Sequence, residues 1–260
     1  MAELDFVEDL IRSAGDIAMA YYLNVDTETK EDESYVTQAD LAVQQYIREV
    51  LDKHSPQDGL IAEENGLRRE PRAGSRYWVI DPIDGTASFA AGLPIWGIAI
   101  GLVEEAHPLA GYFYAPVAGD FFQTTVAGEV LRNGKAVRMR EPGPIHRESS
   151  LFIASRLHRY YTVDRDYPGK LRNLGSTLAH LCYVASGNAD AALIERVYIW
   201  DVAAGMAMLG LNGGVLRYID GSDVELAPLL AGERIPMPML AGHPDTIDAF
   251  ASFITYNGGE

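Results

Sequence analysis

Two carboxylates stand three positions apart at the end of an apolar run, where Trp78-Val79-Ile80-Asp81 continues into Pro82-Ile83-Asp84-Gly85-Thr86. Proline disfavours a helical backbone at the residue before it, so the run reads as a strand that ends in an acid. Asp81 and Asp84 can converge at that strand end, while Gly85 and Thr86 can offer backbone N–H groups to an anion. Two carboxylates held that close repel unless a cation joins them, and hard oxygen donors suit Mg²⁺ or Mn²⁺. A turn with a solvated Asp pair is the plain alternative for this segment.

Two further acidic positions bear on the choice. Glu63-Glu64 closes the apolar run Gly59-Leu60-Ile61-Ala62, and Asp201 follows Trp200 where a helix is expected to begin, a place favourable to a carboxylate. Either alone reads as a surface acid or a helix cap. Together with Asp81 and Asp84, in a chain without metal-type Cys/His spacing, they favour a site for several Mg²⁺ ions. No protein nucleophile competes: Gly-x-Ser-x-Gly and the phosphate-binding Gly-x-x-x-x-Gly-Lys-Ser/Thr are both absent. The single cysteine, Cys182, lies in the apolar helical stretch Leu181-Cys182-Tyr183-Val184 and reads as a buried structural thiol. One cysteine also forbids an intrachain disulfide, which fits a reducing compartment. The six histidines, among them His107, His158 and His180, read as surface or packing residues.

The elements that must position these acids follow from periodicity. Leu4, Val7, Leu10, Ile11, Ala14, Ile17 and Ala18 recur at helical spacing. The N-terminal stretch Ala2-Glu3-Leu4-Asp5 is acidic where a signal peptide needs positive charge. A polar segment, Asn24 to Tyr35 with Lys30 inside it, reads as a mobile loop or hairpin, and a helix capped by Thr37 is expected to run to Asp52. Strands are expected at Gly59–Ala62, Tyr77–Ile80, Gly97–Val103, Leu109–Tyr114 and Phe121–Thr125, with a tight turn at Asn133-Gly134. Glu141-Pro142-Gly143-Pro144 breaks the chain, which divides it into lobes of residues 1–140 and 141–260. In the second lobe, strands at Leu151–Ala154, Lys170–Leu174, Ala189–Glu195, Val215–Ile219 and Pro238–Ala241 alternate with helices from Ser176 to Ser186, Trp200 to Leu211 and Asp245 to Ile254. The fold class is layered α/β (α+β) with two sheets.

Composition sets outer bounds. The 260 residues carry a net charge of −16 with no dense Lys/Arg block, which argues against a nucleic-acid partner. The longest apolar run, Leu93 to Val103, contains glycines and is too short to span a bilayer, so no membrane association is expected and the chain reads as cytoplasmic.

Asp81-Pro82-Ile83-Asp84-Gly85-Thr86 resembles the signature of the inositol monophosphatase family, as does Trp200-Asp201-Val202-Ala203-Ala204-Gly205 with Gly213-Gly214 behind it. Val36-Thr37-Gln38-Ala39-Asp40, Ile61-Ala62-Glu63-Glu64, Asn133-Gly134-Lys135 and Gly175-Ser176-Thr177 are similar to further family elements, in order along nearly the whole chain. The resemblance implies an αβαβα sandwich of the sugar-phosphatase type, often a homodimer. It implies two or three Mg²⁺ ions, with Mn²⁺ as a substitute, held by Glu63, Asp81, the Ile83 carbonyl, Asp84 and Asp201. It implies a phosphate seated on Gly85 and Thr86, with Ser176 and Thr177 on the substrate side. Thr86 paired with Asp40 would orient the attacking water, Glu64 would support from behind, and lithium would inhibit.

The chain departs from the family pattern at Ala62, Ala87-Ser88 and Leu211-Asn212, none of them an implied ligand. One departure bears on substrate. Inositol-cleaving relatives place a sugar-binding Glu seven residues before the second-signature Asp, where this chain has Ile194, with Glu195 one step later. On a strand one step turns a side chain to the other face. A bulge at Arg196-Val197-Tyr198 would return Glu195 to the pocket and favour an inositol-phosphate-like polyol. Fructose 1,6-bisphosphate, a 3′-phosphonucleotide and histidinol phosphate are the alternatives, the last faintly suggested by Phe89 to Gly97. A non-catalytic member that binds a metal, an anion or a protein is the reading from another class.

Overall fold

The computed structural model describes residues 4, 6–24, 27–29 and 35–257. Its first helix, α1 (Phe6–Tyr21), buries Val7, Leu10, Ile11, Ala14 and Ala18, the stripe that helical spacing anticipates. The described part of the segment after it is a hairpin of β1 (Thr27–Thr29) and β2 (Tyr35–Thr37), with Thr27 opposite Thr37. Ala2, Glu3, Asp5 and Lys30 lie outside the described residues. Helix α2 (Gln38–His54) begins at Thr37, as expected. The Thr37 side chain accepts from the Ala39 and Asp40 N–H groups, and the Asp40 carboxylate accepts from the Thr37 N–H at 2.8 Å, a reciprocal cap that satisfies the first-turn donors.

Strands β3 (Gly59–Ala62), β4 (Arg68–Arg69) and β5 (Arg76–Asp84) follow, then the short helix α3 (Thr86–Ala90). A meander of β6 (Gly97–Glu104), β7 (His107–Ala115), β8 (Asp120–Thr124), β9 (Val130–Arg132) and β10 (Lys135–Ala136) completes an eight-stranded sheet. Its order is β10-β9-β8-β7-β6-β5-β3-β4, parallel only between β3 and β5. Asn133 and Gly134 turn β9 into β10 with φ of 50° and 74°, the left-handed values that a two-residue hairpin requires. One face of the sheet, with Trp78, Ile80, Ile98 and Ile100, packs on α1 and α2.

The second half contains β11 (Ser150–Phe152), β12 (Tyr161–Val163), β13 (Lys170–Arg172), α4 (Thr177–Ala185), β14 (Ala191–Ile194), α5 (Ala203–Leu211), β15 (Val215–Tyr218), α6 (Leu226–Leu230), β16 (Met239–Gly242), α7 (Ile247–Ala251) and β17 (Ile254–Tyr256). Five of its strands form a second sheet in the order β13-β11-β14-β16-β15. Helices α4 and α5 lie between the sheets: Leu181, Cys182, Ala203 and Met208 share one buried cluster with Phe113 and Phe122 of the first sheet and Ala192, Met239 and Ala241 of the second. The far face of the second sheet, with Leu151, Leu193 and Leu240, packs on Ile247 and Phe250 of α7. The layers therefore run αβαβα, because each sheet buries an apolar face on both sides.

Two sequence expectations are corrected here. The last helix does not run to Ile254: α7 ends at Ala251, and the chain becomes β17, which pairs antiparallel with β12 in a separate two-stranded sheet, Tyr161 opposite Tyr256. Three-residue strands are too short to show a period. Helix α5 starts at Ala203 rather than Trp200, so Asp201 precedes the helix in a turn instead of standing within its first residues.

Close contact between α5 and the first sheet depends on two glycines. A Cβ at Gly111 would lie 2.2 Å from the Ala204 carbonyl oxygen, and one at Gly101 would lie 2.8 Å from Ala203 Cβ. Backbone meets backbone at Gly111, so no side chain can yield. Gly111→Ala is expected to destabilise the protein by about 1–3 kcal/mol through overpacking, read as a lower urea midpoint at an unchanged m-value. An unchanged midpoint would show that α5 can back away freely.

Candidate active site

The strand that carries Asp81 and Asp84 explains how both can serve one site. In a regular strand, residues three apart point to opposite faces. Along β5 and β6, Asp81 pairs with Ala99 and Asp84 with Gly97, so β5 spends three steps where β6 spends two. The extra residue is a bulge at Pro82-Ile83, and it puts both aspartates on one face while Ile83 turns into the α1/α2 core. Proline suits that position, having no N–H to lose from the ladder.

Asp201 arrives from the other sheet's side, in the turn before α5, held by the Tyr198 N–H donating to its Oδ2 at 2.7 Å. Carboxylate oxygens of Asp81, Asp84 and Asp201 lie within 4.8 Å of one another. Glu63, half-buried at the end of β3, faces all three closely enough to raise their pKa values. Burial is the first cause for each: it holds Asp81 well above the ordinary carboxylate range, with Glu63, Asp84 and Asp201 adding repulsion. Asp201 is raised by burial and then by Glu63. Asp84 rises only to about 6, because hydrogen bonds from Ser176, Leu178 and Thr177 offset its burial. The buried Asp81 Oδ1 has no hydrogen-bond partner. An enclosed acceptor without a donor, in an all-oxygen set that repels itself, fits a hard divalent cation.

Ser176 and Thr177, expected on the substrate side, are placed against Asp84. The Ser176 hydroxyl donates to Asp84 Oδ2, the Thr177 N–H donates to Oδ1 at 3.1 Å and the Leu178 N–H to Oδ2 at 2.9 Å. Asp84 thus satisfies the first-turn donors of α4 and ties the two sheets together. Ser176 Oγ also accepts from the Ala179 N–H at 3.0 Å, as a helix cap does. Gly85 has φ of 88° and meets the Gly175 carbonyl so closely that a Cβ would come within 2.7 Å, so this junction requires glycine.

Thr86 Oγ1 lies 3.0 Å from the Ile83 carbonyl oxygen and 3.4 Å from Asp40 Oδ1. Asp40 is fully buried, its other oxygen engaged in the Thr37 cap, so one residue serves both the helix start and the Thr86 hydroxyl. Glu64 is buried next to Glu63 in the chain. Its backbone is clamped by Gln44 of α2, which donates to its carbonyl at 3.0 Å and accepts from its N–H at 2.9 Å. Gln44 went unnoticed in the sequence because a glutamine on a helix face looks solvated.

Glu63, Asp84, Gly85, Thr86, Ser176, Thr177, Glu195 and Asp201 line one cavity of about 370 Å³. Tyr35, Arg156 and Asn173 also line it, contributed by segments that no motif marked. At the register in question, Ile194 ends β14 buried in the cluster between the sheets, and both Ile194 and Glu195 reach the cavity wall. Arg196 breaks the strand with φ of 56°. Burial raises the Glu195 pKa, and its Oε2 is enclosed without a hydrogen-bond partner. His180, as expected, is a packing residue: burial pushes it down to about 4, its ring stacks on Phe152 at 4.8 Å and its Nε2 accepts from the Leu174 N–H at 2.9 Å. Cys182 is buried beside Met208, its thiol raised by burial.

Carboxylates gathered at the strand ends of a layered α/β sandwich, above a polar cavity of metabolite size, define a phosphoric monoester hydrolase of the metal-dependent kind. The chain belongs to the inositol monophosphatase family, whose profile matches residues 2–243. It is 28% identical over 227 residues to a fructose-1,6-bisphosphatase/inositol-1-monophosphatase of Thermotoga maritima, covering 86% of this chain and 87% of that one. It is 29% identical over 224 residues to a histidinol-phosphatase of Chlorobaculum parvum, covering 82% and 84%. Among solved structures, a Thermotoga maritima IMPase superposes with a TM-score of 0.83 at 25% identity, covering 97% of this chain and 96% of that one. Family members act on small phosphorylated substrates. Among the described residues no helix is long and apolar enough to cross a membrane.

Proposed function

We propose that this enzyme hydrolyses a small phosphorylated polyol, with an inositol monophosphate as its preferred type of substrate, using water activated at a Mg²⁺ centre. The observation that supports the metal is the self-repelling carboxylate set with the unpaired, buried Asp81 Oδ1. Glu63, Asp81, Asp84, Asp201 and the Ile83 carbonyl would hold two or three ions, with Mn²⁺ able to replace Mg²⁺. When bound, the metals supply positive charge that acidifies water and offsets the charge of the phosphate.

The chain's own residues do the rest. Gly85 and Thr86 open the first turn of α3 at the cavity wall and would present N–H groups to the phosphate. The Thr86 hydroxyl has one proton and two acceptors in reach; donating to Asp40 or Ile83 leaves its lone pairs to accept from a water and aim that water's oxygen at phosphorus. Buried Glu64, held by Gln44, would keep the acidic wall in place. Ser176 and Thr177 position Asp84 and reach the cavity beside the leaving alcohol. Neither Cys182 nor His180 is available as a nucleophile, one being buried and the other engaged by Leu174. On this reading the lobe of residues 1–140 brings most of the metal ligands and the lobe of 141–260 brings Asp201 and the substrate side. The enzyme would work in the cytoplasm as a homodimer.

Glu195 supports the polyol. A carboxylate in the cavity wall gains by accepting substrate hydroxyls, and a site built to hydrogen-bond hydroxyls discriminates against alcohols that lack them. The test is phosphate release, with Mg²⁺ present, from inositol 1-phosphate, fructose 1,6-bisphosphate, histidinol phosphate and a 3′-phosphonucleotide. Inositol 1-phosphate ranking last in kcat/KM would overturn the polyol assignment, and no release from any of the four would overturn the hydrolase. Glu195→Gln is expected to raise KM for inositol 1-phosphate by about tenfold, the worth of one hydrogen bond to a charged group, with kcat changed less.

A further inference from the structure

Asp201 is held by backbone that belongs to no regular element. β14 ends at Ile194, Arg196 takes a left-handed φ of 56°, and α5 begins only at Ala203. Residues 196–198 therefore lie in neither strand nor helix. Yet the Tyr198 N–H donates to Asp201 Oδ2 at 2.7 Å, so the direction of that carboxylate follows the placement of this short segment. The groups that place it come from far along the chain.

The loop of residues 231–238, between α6 and β16, meets all three residues. The Ile235 N–H donates to the Val197 carbonyl at 3.1 Å, Arg234 Nη2 donates to the Arg196 carbonyl at 2.8 Å, and the Arg234 guanidinium lies over the Tyr198 ring at 5.3 Å. The Tyr198 ring also stacks on Trp200, with centroids 4.7 Å apart and planes 21° from parallel, so the residues on both sides of Ile199 are engaged through their rings. A guanidinium is flat and carries its donors in its own plane. One rigid group can thus cover a ring and bond a carbonyl at its edge, which an apolar chain cannot do. Ile235 is buried in the cluster between the sheets and anchors the loop. Arg234 to Pro238 also line a second cavity of about 270 Å³, with Glu195, Tyr161 of β12 and Tyr256 of β17, and Arg234 is only half-buried, so it can be replaced without disturbing the core.

We propose that Arg234 is a positioning residue for Asp201: through the ring and backbone of Tyr198 it fixes the carboxylate in the direction a divalent cation needs. A carboxylate in a turn, close to others that repel it, swings away unless an outer partner holds it. The inference rests on the reading of Asp201 as a metal ligand and gives a loop outside the acidic cluster control over metal affinity.

Titration of the whole chain with Mn²⁺, followed by the paramagnetic signal of the free ion, tests this without turnover. Arg234→Met is expected to weaken the binding of at least one Mn²⁺ ion about tenfold, the lower end of what losing an outer support costs a metal ligand. Tyr198→Leu is expected to do the same, whereas Tyr198→Phe, which keeps the ring, should bind as the wild type does. The Arg234→Met/Tyr198→Leu double variant should lose no more than either single variant, because the two residues act as one support. A merely structural role would lower the unfolding midpoint and leave Mn²⁺ affinity untouched. Wild-type affinity in Arg234→Met, equal losses in Tyr198→Phe and Tyr198→Leu, or losses that add in the double variant would overturn the inference while the hydrolase stands. A wild-type chain that binds no Mn²⁺ would overturn the metal centre itself, and the inference with it.

Discussion

Chelation of divalent cations is expected to abolish turnover, and Mg²⁺ to restore it. The reason lies in the charge arrangement: Asp81, Asp84 and Asp201 bring oxygens within 4.8 Å of one another, with Glu63 facing them, and burial and mutual repulsion raise all three pKa values. A phosphate dianion would be repelled from such a wall unless cations reverse its sign. Removing one ligand charge while keeping the shape should therefore be nearly as damaging as removing the metal. Asp84→Asn and Asp201→Asn are each expected to lose about 10³-fold or more in kcat, the loss of several kcal/mol of charge stabilisation in the transition state. Added Mg²⁺ should rescue them only in part, by mass action. Asp84 also holds the start of α4, so circular dichroism of Asp84→Asn must accompany the kinetics; Asp201 accepts the Tyr198 N–H, which an amide oxygen can still take. Full activity after exhaustive chelation would sink the mechanism.

Thr86→Ala is expected to lower kcat by about 10²–10⁴-fold, the range of assistance to a proton in flight, with a much smaller change in KM. The hydroxyl sits between the Ile83 carbonyl and Asp40, both anchored in the protein, so its lone pairs have a defined direction. Alanine keeps the backbone N–H that would meet the phosphate and removes only that direction. Thr86→Ser keeps the hydroxyl and should recover most of the rate. A wild-type kcat in Thr86→Ala would leave this residue a backbone role alone, and equal losses in the alanine and serine variants would point to packing of the threonine methyl group.

How far these residues could be read in advance varies with the distance over which each is specified. The strand ending in Asp81, the cap at Thr37, the Asn133-Gly134 turn and the buried stripe of α1 are all where local patterns put them, since each depends on a few neighbouring residues. Asp201 was recognisable as a site residue but was assigned to the helix. The structure starts α5 two residues beyond it and leaves it in a turn held by the Tyr198 N–H, because the first residues of a helix and the turn before it share the same composition. Ser176 and Thr177 line the cavity and, in addition, hold Asp84. The helix start at Ser176 was legible, whereas the grip of Ser176 and Thr177 on Asp84, 92 and 93 positions away in the chain, was not.

By itself the amino-acid sequence determined the class of chemistry: oxygen donors only, placed at strand ends, with no nucleophile to rival them and an order of motifs that matches one family of phosphatases. Residue type and short spacing suffice for that, since they decide which atoms can be donors and which backbone shapes are accessible. Tertiary structure alone decided the convergence. The bulge at Pro82-Ile83 turns two aspartates to one face, the packing of α5 on Gly101 and Gly111 seats Asp201 beside them, and the β12/β17 pairing raises a second cavity next to Glu195. Each of these depends on the register between strands or helices far apart in the chain, and a register is the outcome of packing whole faces together, which no local stretch of residues contains.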